Sequence, residues 1–93
     1  MVGLARAWAP GDIEIDHAYR GTAYGARTTE SDAAIRLLAR TEGILVDPVY
    51  SGKALAGLID GARRAPTNGL VFWHTGGVPA LFDPHYGGPL VAR

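Results

Sequence analysis

Two stretches of the chain repeat their apolar positions at helical spacing. In the first, Ile35, Leu38 and then Glu42 follow a start at Thr29, behind acids at Glu30 and Asp32 that suit the positive end of a helix. Thr28 or Thr29 can cap the free N–H groups there, and Gly43 is a natural C-terminal stop. In the second, Leu55, Leu58, Ile59 and Ala62 fall at i, i+3, i+4 and i+7, one apolar face, and Ser51 stands as its N-cap. Gly57 and Gly61 inside this helix cost roughly 1 kcal/mol each against alanine, tolerable where another backbone packs closely.

Elsewhere the pattern is shorter. Leu4 to Trp8 read as the end of a helix stopped by Pro10-Gly11, and Ile13-Glu-Ile-Asp16 alternates like a strand. Residues 19–28 have no period and form a loop carrying Tyr19 and Tyr24. Ile44-Leu-Val46 is a short apolar run closed by Asp47-Pro48, where proline bars the preceding residue from helix. Pro66-Thr-Asn-Gly69 is a turn, and Leu70-Val-Phe-Trp73 is wholly apolar, the pattern of a strand buried on both faces of a parallel sheet. Gly76-Gly77 ends it, Val78 to Phe82 make one helical turn, and residues 83–93 read as an irregular tail. The expected class is α/β, a single partial domain over residues 1–93. A doubly buried strand needs neighbours, and two other short strands are too few.

Composition sharpens this picture. At 93 residues and 47% apolar, the chain is built to fold, yet 13 Gly and 6 Pro imply loops that need a surface to pack on. Nine basic and nine acidic residues are scattered, with Arg63-Arg64 the one adjacent basic pair, so the basic stripe of a nucleic-acid binder is missing. Without cysteine there is neither a disulfide framework nor a thiolate metal site. Arg6 interrupts the N-terminal apolar run, against a signal peptide, and no apolar stretch approaches a membrane span. The expectation is a cytoplasmic protein with no nucleic-acid or membrane partner.

Two short segments suit chemistry. Tyr50-Ser51-Gly52 enters a helix, where backbone N–H groups and the helix dipole attract anions; the Ser51 hydroxyl can cap the helix or meet a ligand. Thr75-Gly76-Gly77 follows the apolar run, at the sheet edge where ligands of open α/β proteins collect, or is a plain turn. His74 reads as a packed, hydrogen-bonded residue. His17 and His85 share no metal-ligand spacing with it or with each other.

Order and wording add what the single signals lack. The run Thr41-Glu-Gly-Ile-Leu-Val-Asp-Pro-Val-Tyr-Ser-Gly-Lys-Ala-Leu-Ala-Gly-Leu-Ile-Asp60 resembles the signature of the D-cysteine desulfhydrase and 1-aminocyclopropane-1-carboxylate deaminase family. Phe72-Trp-His-Thr-Gly-Gly77 followed by Pro79-Ala-Leu-Phe82 is similar to that family's C-terminal block, and Tyr24-Gly25 to its tyrosine-glycine pair. The resemblance runs from about residue 13 to 83. It implies a fold-type-II pyridoxal-phosphate enzyme, three-layered with a mostly parallel sheet, of which this is a C-terminal fragment. It further implies that Tyr50 is an active-site tyrosine near cofactor and substrate and that Tyr24 also reaches the substrate. Ser51, Thr75 and Gly76 would meet the cofactor. Deaminases carry glutamate at the position of Ser51 and leucine at that of Thr75; desulfhydrases carry hydroxyl residues at both. A carboxylate would keep the cofactor's ring nitrogen protonated as a strong electron sink, whereas a hydroxyl suffices for a good leaving group such as sulfide. The desulfhydrase side is favoured, with the deaminase or an L-cysteate sulfo-lyase as alternatives.

Some residues depart from the family pattern. Ala26-Arg27 stand where relatives continue toward proline, and the connection from Gly61 to Leu70 is shorter. Lys53, the one lysine, matches a family position other than the cofactor-linked lysine, so it takes a structural or surface role. The chain alone is therefore expected to be inactive and not to hold pyridoxal phosphate. Two readings stay open: a lyase segment that works with an N-terminal partner chain, a small amino-acid substrate and, in the complete enzyme, a second copy of itself; or a non-catalytic remnant. Independent anion binding at Tyr50-Ser51 or Thr75 is a third, without specific support.

Overall fold

The computed structural model describes residues 7–91. Along them run a 3-10 turn at Pro10–Asp12, helix α1 at Thr29–Glu42, helix α2 at Ser51–Arg64, a 3-10 turn at Val78–Phe82 and helix α3 at Pro84–Val91. The first long helix begins and ends where its sequence signals stand. The Thr28 hydroxyl oxygen accepts from the Ser31 N–H at 3.1 Å, and Gly43 closes the helix with φ 67°.

The two long helices pack on each other around a small core. Ala34 and Ile35 come from α1, Leu55 and Ala56 from α2, and Val46 from the connection; Tyr19, Leu38, Ile59, Phe72 and Leu90 cover its edges. Close approach requires Gly52: a Cβ there would lie 2.5 Å from the Asp47 carbonyl oxygen and 2.7 Å from Ser31 Oγ. The interior glycines of α2 differ from expectation. Gly57 accommodates the Tyr19 ring, 3.1 Å from where a Cβ would sit, and not a backbone; Gly61 faces open space.

Several expectations are corrected. None of the segments at 13–16, 44–46 and 70–73 is a strand among the described residues, because none pairs its backbone with another extended segment there. Nor is the Leu70–Trp73 run buried: Val71 is 80% and Trp73 81% exposed. The α/β sheet is thus not a property of these residues by themselves. Residues 84–91 are helical where an irregular tail was expected. Pro84 opens α3 at a position that needs no N–H, and Asp83 Oδ1 accepts from the His85 N–H at 2.8 Å. The proposed helix end at Leu4 to Trp8 lies mostly outside the described residues; Ala7–Ala9 are not helical. The accessible surface is 7157 Å², against roughly 5200 Å² for a compact monomer of this mass.

Candidate functional site

The chain turns into α2 through Asp47-Pro-Val-Tyr50, and Asp47, 0% exposed, organises that turn. Its Oδ2 accepts from the N–H groups of Val49 at 2.8 Å and Tyr50 at 2.9 Å. Its Oδ1 accepts from the Ser51 N–H at 3.0 Å and from the Ser51 hydroxyl at 2.7 Å. The Tyr50 and Ser51 N–H groups are among the donors that the head of a helix leaves without intrahelical partners. Burial pushes the Asp47 carboxyl up, but the Ser51 hydroxyl and the three backbone N–H groups outweigh it and hold the group below the usual carboxylate range.

Ser51 is consequently not the N-cap. It is the first helical residue, 2% exposed, with Tyr50 at the cap position. Its oxygen accepts from the Asp47 N–H at 3.2 Å, and its single proton serves two acceptors, Asp47 Oδ1 and the Gly76 carbonyl at 3.1 Å. Opposite, a Cβ on Gly77, whose φ is +96°, would stand 2.2 Å from Asp47 Oδ1, so only glycine lets the turn come this near. His74 adds a further tie. Its Nδ1 accepts from the Gly76 N–H at 3.1 Å, which leaves Nε2 protonated to donate to the Leu45 carbonyl at 2.7 Å. The ring is hydrogen-bonded as expected, yet exposed. The two sequence motifs therefore form one hydrogen-bonded unit. Thr75 lies on its exposed side, with no hydrogen-bond partner among the described residues.

Next to Ser51, Tyr50 projects outward and meets Tyr24. Their hydroxyls hydrogen-bond, and the rings stand edge to face with centroids 5.8 Å apart. The bond to Tyr50 raises the Tyr24 phenol above its ordinary value, with desolvation and the nearby Tyr50, Tyr86 and Asp47 adding to the shift. A groove of about 850 Å³ runs beside the pair, lined among others by Tyr19, Gly21, Lys53 and Leu58.

The loop that presents Tyr24 is fastened on both sides. Lys53, 8% exposed, donates from Nζ to the Arg20 carbonyl at 2.7 Å. The Tyr86 hydroxyl of α3 donates to the Gly25 carbonyl at 3.2 Å, and Arg27 donates to the Tyr86 carbonyl and to Asp32 Oδ2, each at 2.6 Å. Sequence reasoning missed Asp47, Arg27 and Tyr86. Asp47 stood four residues ahead of Ser51, next to a proline, which was signal enough for a helix entrance. The Arg27–Asp32 pair spans only five residues, but the bonds that tie Arg27 to Tyr86 and Tyr86 to Gly25 span 59 and 61, for which no local signal exists.

The structure thus joins Tyr24 with Tyr50 and Ser51 with Gly76, and both pairs meet at the head of α2. No group of three His, Cys, Asp or Glu side chains suited to a metal occurs among the described residues, and no helix there is long and apolar enough to cross a membrane.

Over residues 1–76 the chain matches the family described as pyridoxal-phosphate dependent enzyme. It is 51% identical over 80 residues to D-cysteine desulfhydrase of Klebsiella pneumoniae, covering 83% of this chain and 24% of that protein. Against the enzyme of the same name from Yersinia enterocolitica it is 51% identical over 79 residues, 82% of this chain and 24% of the relative. With 1-aminocyclopropane-1-carboxylate deaminase of Burkholderia vietnamiensis the identity is 45% over 84 residues, 87% of this chain and 25% of the relative. The chain spans about a quarter of the length of the curated relatives it matches.

Proposed function

The chain belongs to the family of pyridoxal-phosphate-dependent enzymes, and from that premise we propose that it supplies the C-terminal segment of a lyase that eliminates the β-substituent of D-cysteine or a similar amino acid. The observation that carries this reading is the Tyr24–Tyr50 pair at the edge of a groove, in the positions that the family gives to substrate-facing tyrosines. The bond to Tyr50 moves the Tyr24 phenol further above its ordinary value, so Tyr24 presents a protonated hydroxyl at the groove rather than a phenolate.

Holding the cofactor is a separate matter, and here the residues do not fit. The one lysine of the chain is buried, and its ammonium is committed to the Arg20 carbonyl. With that amine engaged, the chain offers pyridoxal phosphate no free lysine for a covalent link. Complete members of the family use that cofactor as the electron sink for bonds broken at the amino acid. In such a complete enzyme, Thr75 is proposed to offer its exposed hydroxyl to the cofactor. Gly76 would line it by its backbone, and Ser51 would act by fixing the Gly76 carbonyl. The finer fold belongs to the same proposal: segments 44–46 and 70–73 join a mostly parallel sheet once the rest of the domain, on this chain or another, covers them. A small amino acid would be the substrate and a second copy of the complete enzyme its dimer partner.

The test is a graft. Residues 13–83 replace the matching part of the Klebsiella desulfhydrase, and pyruvate formation from D-cysteine is followed. Turnover is expected, and Tyr50→Phe should lower kcat by about tenfold or more if Tyr50 handles a proton. A folded, cofactor-loaded graft without turnover would instead favour the non-catalytic remnant.

A further inference from the structure

One carboxylate remains for which the proposed chemistry gives no role, and it is the most fully engaged side chain of the site. Asp47 accepts four hydrogen bonds, and two of its three backbone donors belong to Tyr50 and Ser51. The Tyr50 N–H is fixed at 2.9 Å, so the carboxylate sets where the tyrosine leaves the backbone. On its other side Asp47 lies against Gly77 so closely that any side chain there would collide with it. Ser51 completes the bracket by reaching the Gly76 carbonyl. The Tyr50 side chain is itself exposed, and its described side-chain partner is Tyr24, so packing alone does not orient it.

We propose that Asp47 is a positioning residue: its buried carboxylate holds Tyr50 against Tyr24 and ties that pair to the Thr75–Gly77 turn. The inference deepens the lyase reading and rests on it for its link to catalysis, but the geometric claim stands apart from any activity. Neutral asparagine keeps the shape of Asp47 and one acceptor oxygen, while its NH₂ group faces donors that the carboxylate had accepted from. Gly77→Ala crowds the same carboxylate from outside α2 and leaves Tyr50 untouched.

Two measurements separate this proposal from the lyase reading. In the desulfhydrase graft with labelled tyrosine rings, ring-to-ring nuclear Overhauser cross-peaks between Tyr24 and Tyr50 should be present. They should be lost in Asp47→Asn and weakened in Gly77→Ala, while contacts between α1 and α2 persist. Absent cross-peaks in the otherwise unsubstituted graft, or cross-peaks unchanged in Asp47→Asn, would overturn the proposal whatever the activity. In the desulfhydrase graft, Asp47→Asn should lower kcat about tenfold with KM changed less than about twofold, and should do little further harm in a Tyr50→Phe background. Additive losses in that double variant would overturn the proposal too. An inactive graft that keeps the cross-peak pattern counts against the lyase reading and leaves the Asp47 assignment supported.

Discussion

Asp47 carries a consequence for acid stability. Its carboxyl is held below the value of about 3.9 that an unfolded aspartate shows. A carboxylate depressed on folding contributes stability that is fully present above the unfolded pKa and is lost as pH falls through the folded value. The helical circular-dichroism signal should therefore weaken below about pH 4. Asp47→Asn should remove this part of the pH dependence and cost about 1–3 kcal/mol at neutral pH, since buried donors lose their acceptor. Urea titrations at pH 7 and at about pH 2.5, below the unfolded value, check this, and equal stability of the two forms at pH 7 would refute it. At this scale the sequence was legible in kind but not in assignment. A polar residue at Ser51 pointed to a capped helix, yet the cap is made by an aspartate four residues earlier. That choice depends on a turn whose geometry only the folded backbone reveals.

For whole elements, periodicity proved the strongest guide. Helices α1 and α2 run where their apolar faces and stop signals place them. Helix α3 was hidden because Gly87, Gly88 and Pro89 argue against a helix, even though Asp83-Pro84 is a valid start. The apolar runs at 44–46 and 70–73 could not be judged locally at all, because a strand exists only through its neighbour. Two glycines of α2 test the account of how the helices meet. Gly52→Ala would press a methyl against the Asp47 carbonyl, a backbone atom with little room to yield, and should destabilise by about 1–3 kcal/mol. Gly61→Ala meets nothing within 4 Å and should stabilise by about 0.5–1 kcal/mol. Chemical denaturation of the two variants gives the signs directly; the same sign for both would contradict this picture of the interface.

The molecule as a whole exposes what a domain core would cover. Leu70, Val71, Trp73 and Phe82 face solvent, and the buried core holds only five apolar residues among those described. The isolated chain should be marginal or self-associating, and a monomer unfolding cooperatively above about 65 °C would show otherwise. Pyridoxal phosphate at stoichiometric concentration should keep its free-aldehyde spectrum in the presence of the chain, because Lys53 is buried and bonded. A new band that Lys53→Ala abolishes would mean that this amine is available. The central claim, that these residues belong to a β-eliminating lyase, is tested most directly in a host of the other specificity. Residues 13–83 would replace their counterpart in the Burkholderia deaminase, and pyruvate from D-cysteine would be measured beside 2-oxobutyrate from 1-aminocyclopropane-1-carboxylate. With Ser51 and Thr75 in place, pyruvate formation should rise and ring opening should fall well below that of the host. Ring opening as fast as the host's, with no gain of pyruvate, would contradict the account.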